Sequence, residues 1–183
     1  PVVKVAPDKN FAPIEFVENG EIKGFSGEYL RIISEKTGLK FKVTQTDNWA
    51  ETFESAIEWQ SDMLSSAAYT EDRKERLLFS RPYVTFPIGI YTQLGGPYIT
   101  NLRELNGERV AVVNDYAVEN WLRRDYPEIK IVETGSVTDS FERLSEGKVE
   151  AVIEDFLVAK YNIAKHNFKG IKAAGATPYQ YKI

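Results

Sequence analysis

The chain has 183 residues, 43% of them hydrophobic and 13% aromatic, enough to build one large core or two small ones. Its 23 basic and 27 acidic residues leave a formal charge of −4 with no long run of one sign, which excludes the basic footprint of a nucleic-acid-binding protein. With no cysteine and one histidine, disulfides, thiol nucleophiles, thiolate metal sites and histidine metal clusters are excluded as well. A histidine-based triad would have only His166 to use, and that residue reads as solvated surface. No metal and no cofactor is expected.

No run approaches the roughly 18 apolar residues of a membrane span. The start, Pro1-Val2-Val3-Lys4-Val5, lacks the charged-then-apolar layout of a signal peptide, so the reading is of a chain whose export signal has been removed.

In chain order, the β-branched run Val2 to Ala6 predicts a strand that ends in the polar loop Pro7-Asp8-Lys9-Asn10. A second strand, Ile14 to Val17, turns at Asn19-Gly20. From Ser26 as N-cap, Leu30 and Ile33 recur at helical spacing until Gly38 ends the helix. Phe41 to Thr44 alternates as a strand, and Trp49, Phe53, Ala56 and Ile57 form the stripe of an amphipathic helix. Met63 to Ser66 follows as a buried strand and Ile88 to Thr92 as another. The punctuation Leu94-Gly95-Gly96-Pro97 is the best boundary, after which a second unit begins. That unit is expected to hold strands at Arg109 to Val113, Lys130 to Val132 and Val149 to Glu154. Its helices fall near Val118 to Arg124 and Val137 to Ser145, with one more after Asp155. Strand and helix alternate throughout, which predicts α/β lobes with parallel or mixed sheets. Trp59 and Trp121 read as core aromatics.

Ligands of open α/β sheets bind beyond the carboxyl ends of the strands, and polar residues gather at those positions. Asp8 follows the first strand, Ser65-Ser66 precedes Arg73, Asn114-Asp115 follows Val113, and Asp155 follows Ile153. A cleft with one arginine and several aspartates is the complement of a zwitterion, because a guanidinium fork suits a carboxylate and an aspartate accepts from an ammonium group. Each residue also has a plainer role: Arg73 as a surface partner of Glu71 or Asp72, Asp155 as a helix N-cap.

At these residues the chain resembles the family 3 extracellular solute-binding proteins of the type II periplasmic-binding-protein fold. The resemblance runs through Phe11-Ala12-Pro13-Ile14-Glu15-Phe16, Gly24-Phe25-Ser26-Gly27, Asp62 to Arg73, Phe79-Ser80-Arg81-Pro82-Tyr83, Leu102 to Val112 and Gly147 to Asp155. It implies a two-lobed Venus flytrap fold, α/β, with mixed sheets and helices on both faces. Lobe 1 would be residues 1–91, lobe 2 residues 92–176, and 177–183 a strand returning towards lobe 1. Family members usually continue through another strand and helix, so the resemblance places the C-terminal part of lobe 1 beyond Ile183. It also assigns Arg73 to the ligand carboxylate and Asp155 to its ammonium group. Asp8 and Phe11 would line or cover the ligand, Ser66 and Ala68 would supply hydroxyl or backbone contacts, and Trp49 an apolar wall. Tyr69 would sit in a loop at the cleft. Importer receptors commonly present Gly-Thr in the second-lobe loop, where this chain has Asn114-Asp115-Tyr116-Ala117. That departure looks more like binding domains fused to membrane sensors.

The expected function is therefore extracytoplasmic, periplasmic binding of a small polar, amino-acid-like ligand, with hinge closure signalling to a membrane sensor protein. The alternatives are a receptor for an ABC permease and a dehydratase-like enzyme on the same fold. No nucleophile with a base, no Gly-x-Ser-x-Gly elbow and no Gly-rich phosphate loop supports catalysis.

Overall fold

The run Val2–Ala6 forms the first strand, β1, of a computed structural model that describes residues 1–183. A short strand β2 (Asn10–Phe11) pairs antiparallel with β3 (Glu15–Glu18), which pairs with β4 (Glu21–Lys23). Asn19 and Gly20 adopt φ of +52° and +79°, the left-handed pair that a two-residue hairpin turn demands.

Helix α1 spans Gly24–Thr37 and ends on Gly38 in the left-handed conformation, its N–H donating to the Ser34 carbonyl at 2.8 Å. It starts two residues before the expected Ser26 cap. Gly24, at φ +83°, turns the chain directly from β4 into the helix, and a Cβ there would lie 2.4 Å from the Pro13 carbonyl oxygen. Ser26 is accordingly buried within the first turn, its N–H donating to the Ile14 carbonyl at 3.0 Å.

Next come β5 (Lys40–Val43), α2 (Trp49–Ile57), β6 (Met63–Leu64) and the single turn α3 (Glu71–Lys74). Asn48 caps α2 by accepting from the Glu51 N–H at 3.0 Å. The innermost face of α2 is Trp49, Thr52 and Ser55, while Phe53, Ala56 and Ile57 are half-buried. Trp59 does not join the core. At φ +59° it turns the chain away after α2 and is 83% exposed. The parallel sheet runs β5-β1-β6, so the loops after β1 and β6 leave from one end of it.

In the second half, β7 (Thr85–Gln93) is followed by a 3-10 turn, Leu102–Leu105, capped reciprocally by Asn101 and Glu104. Then come β8 (Arg109–Val113), α4 (Ala117–Asp125), β9 (Lys130–Thr134), α5 (Val137–Ser145), β10 (Ala151–Asp155), α6 (Phe156–Lys165) and β11 (Ile171–Lys182). One mixed sheet runs β11-β7-β10-β8-β9, with β10, β8 and β9 mutually parallel and β7 antiparallel to both its neighbours. Val110, Ala111, Leu122, Phe141 and Leu144 are fully buried around it, and Phe141 meets the Tyr91 ring edge-on at 5.5 Å. Trp121 is half-buried against Tyr179 and Tyr181.

The chain divides into two units, Pro1–Arg81 with Ile183, and Pro82–Lys182. The Leu94-Gly95-Gly96-Pro97 punctuation falls inside the second unit, at the end of β7. That strand is hydrogen-bonded to β11 from Thr85 onward. Residues 177–182 continue β11 along the same partner. No helix is long and apolar enough to cross a membrane.

Candidate ligand-binding site

In the first unit, the loop after β1 turns on Asp8, whose Oδ1 accepts from the Asn10 N–H at 2.9 Å. The Asp8 N–H in turn donates to Glu15 Oε1 at 2.7 Å. Glu15 is 0% exposed. Its Oε1 also accepts from the Ser66 hydroxyl at 2.7 Å and its Oε2 from the Ser65 hydroxyl. The expected strand to Ser66 stops at Leu64, and both serines turn to this carboxyl instead. Burial pushes the Glu15 carboxyl up to about 7, against the pull of its three hydrogen bonds.

Arg73 lies in α3, where Thr70 caps the turn by accepting the Arg73 N–H at 3.1 Å. The side chain is 5% exposed, and its guanidinium carbon sits 5.2 Å from the Trp49 ring and 5.3 Å from the Phe53 ring. Its Nη1 donates to the Ala68 carbonyl at 2.8 Å. Phe11, Trp49, Ala68, Asp8 and Ser66 are all buried in this unit. Tyr69 is half-buried, donates to Glu71 Oε1 at 2.8 Å and packs edge-on against Phe79 at 5.4 Å. A cavity of about 570 Å³ opens near these loops, lined in part by Lys9, Asn10, Thr44, Gln45 and Thr46; none of the expected site residues lines it.

In the second unit, β8 and β10 are parallel neighbours, so the loop Asn114-Asp115-Tyr116 and Asp155 emerge at adjacent carboxyl ends. The Asn114 N–H donates to the Thr134 carbonyl at 3.0 Å, and its side-chain amide lies 3.4 Å from Asp115 Oδ2. Asp115 adopts φ +61° with its side chain exposed, and its N–H donates to Glu119 Oε2 at 2.7 Å. Glu119 is buried and paired with Arg123 at 2.8 Å; burial raises its pKa above the ordinary carboxylate range. Tyr116 is buried against the edge of the Tyr181 ring.

Asp155 takes the capping role expected of it. Its Oδ1 caps α6, accepting from the N–H groups of Leu157 and Val158 at 2.8 and 3.0 Å. Its Oδ2 is buried with no hydrogen-bond partner in the protein, and the residue is 0% exposed. Burial pushes its carboxyl up to about 6, against the two N–H groups that pull it down. The Asp155 N–H donates to buried Glu154 Oε1 at 2.7 Å, and burial together with these two carboxylates raises the Tyr91 phenol.

Sequence reasoning singled out the aspartates and Arg73 but gave no role to Glu15 or Glu119. The available signal for Glu15 was a lone charge between Ile14 and Phe16, a position that apolar neighbours carry to the interior.

The sequence profile of the bacterial extracellular solute-binding proteins, family 3, matches residues 3–130. The virulence sensor protein BvgS of Bordetella pertussis is 28% identical over 177 residues, 96% of this chain and 14% of that protein. The chain therefore spans a small part of that relative. The crystal structure of the periplasmic VFT2 domain of Bordetella pertussis BvgS superposes with a TM-score of 0.84 at 28% identity, covering 97% of this chain and 76% of that one. An ancestral arginine-binding protein bound to arginine superposes with a TM-score of 0.85 at 26% identity, covering 96% and 79%. With more than half its length matched by the profile and its fold shared with these binding domains, the chain belongs to the bacterial extracellular solute-binding proteins, family 3.

Proposed function

We propose that this domain binds a small amino acid outside the cytoplasm and reports it to a membrane sensor of which it is a part. The observation that carries this reading is Asp155 Oδ2, a fully buried carboxylate oxygen with no partner in the protein. An uncompensated buried charge is costly, and a ligand ammonium group offsets that cost while satisfying the oxygen. Arg73, held in place by Ala68, Trp49 and Phe53, supplies the complementary cation for an α-carboxylate. A ligand that binds a closed state better than an open one shifts the population towards closure, a change that a sensor can read.

The likeness to BvgS over 96% of this chain favours sensing over delivery. The second reading, a receptor that hands its ligand to a permease, draws on the likeness to an arginine-binding protein; the two differ in what reads the closure and share the site. Asp155, Glu15 and Glu154 serve binding and structure in this reading, without turnover.

Titration calorimetry with L-arginine, L-glutamine and a panel of other amino acids tests it. Saturable binding of at least one, recovered chemically intact afterwards, is the expected result. Binding by none of them, or conversion of the amino acid to a product, overturns it.

A further inference from the structure

Glu15 is wholly enclosed in the first unit, and no ligand contact proposed above uses it. Its three donors come from two separate loops: the Asp8 N–H from the loop after β1, and the Ser65 and Ser66 hydroxyls from the loop after β6. Glu15 itself belongs to a third element, β3. Together these loops carry Asp8, Ser66 and Ala68, and the second leads directly into the turn that holds Arg73.

We propose that Glu15 is the positioning residue of the ligand-binding loops of this unit. It locks the Asp8 loop to the Ser65-Ser66 loop and takes both serine hydroxyl protons, so that Ser66 meets a ligand with its lone pairs. The inference rests on the reading of these loops as ligand-binding. A hydroxyl has one proton and two lone pairs. With its proton held by Glu15 Oε1 at 2.7 Å, Ser66 accepts but cannot donate. It therefore suits the N–H groups of a ligand, and carboxylate recognition in this unit falls to Arg73.

A neutral side chain at position 15 reverses part of this arrangement. A carboxylic acid or an amide has one donating end, so one serine must accept from it and turn its own proton outward. The carboxyl is poised for that change, since burial pushes it up to about 7. The ionisable group facing it is Asp8, whose negative charge raises it further; the loop after β6 brings only hydroxyls.

The test compares the native domain with Glu15→Gln by NMR from about pH 5.5 to about pH 8.5, a range that brackets the carboxyl midpoint. In the native domain the amide resonances of Asp8, Ser65 and Ser66 are expected to move together with one midpoint near neutrality, and in Glu15→Gln that shared movement should vanish. Calorimetry with L-arginine on the same samples should give about tenfold weaker binding in Glu15→Gln, the scale of one hydrogen bond to a charged group, and no dependence on pH near 7. Should Glu15→Gln fail to fold, Ser66→Ala replaces it: losing a hydrogen bond that stabilises the carboxylate, it should raise the shared midpoint. Separate midpoints for the two loops, or a Glu15→Gln domain that binds L-arginine like the native one at every pH, overturns the proposal. If no amino acid binds the native domain, the proposed function fails, while the shared titration still decides whether Glu15 locks the loops.

Discussion

Each unit holds one carboxyl residue that is 0% exposed, Glu15 in the first and Asp155 in the second, and the two are treated in opposite ways. In the first unit Glu15 is saturated, with three donors from its own chain on its two oxygens. In the second, Asp155 is half saturated: Oδ1 has two backbone donors and Oδ2 has none in the protein. Both have raised pKa values because both are buried. On the proposals above, the contrast separates a carboxyl that organises a site from one that recognises a ligand. Hydrogen-bond accounting, rather than burial or charge, tells them apart.

The sharpest way to break this comparison is to delete the recognising groups. Arg73→Ala and Asp155→Ala should each weaken amino-acid binding by about 100-fold or more, the scale for removing one partner of a desolvated charge pair, as read by calorimetry. If both variants bind like the native domain, the assignment of the site is wrong. Stability against pH sharpens it next. A carboxyl whose folded pKa is raised stabilises the fold below its ordinary 3.8, and that contribution is lost as pH rises through about 6. Urea unfolding of native and Asp155→Asn domains should therefore diverge by about 2 kcal/mol between pH 4 and pH 7, with the native domain losing relative stability as pH rises.

Ligand affinity should carry the opposite sign. An ammonium group prefers ionised Asp155, so binding should weaken by up to about tenfold per pH unit below about 6. Affinity that is level from pH 5 to pH 8 would remove Asp155 from ammonium recognition. The smallest effect belongs to a position outside both carboxyl clusters. Asn48→Ala, which removes the cap of α2, should cost about 1 kcal/mol in unfolding free energy and leave the pH profiles above unchanged.

Much of the fold was legible because its signals are local. The helix Val137–Ser145 was placed with its observed bounds, Gly38 stopped α1, and Asn19-Gly20 turned the hairpin. The errors arose where long-range contacts outweighed local pattern. Ser26 has the chemistry of an N-cap, but the close approach of Gly24 to the Pro13 carbonyl moved the start of α1. Met63 to Ser66 reads as a strand until Glu15, some fifty residues away in sequence, draws the two serine hydroxyls. Trp59 continues a plausible apolar helix on paper and ends on the surface because its backbone is left-handed. Asp155 was legible as a cap, since it stands between an apolar strand and an apolar helix. Glu15 was not, because nothing in its own segment announces the donors that another loop brings to it.

Asp155 also ends β10, and its backbone pairs with Ile88 of β7. The strand β7 is the first of the second unit, beginning shortly after the chain enters it at Pro82. The strand that carries Asp155 therefore shares a ladder of backbone hydrogen bonds with the strand by which the chain enters this unit. That register is set by backbone pairing alone, from Val152 opposite Tyr91 to Asp155 opposite Ile88.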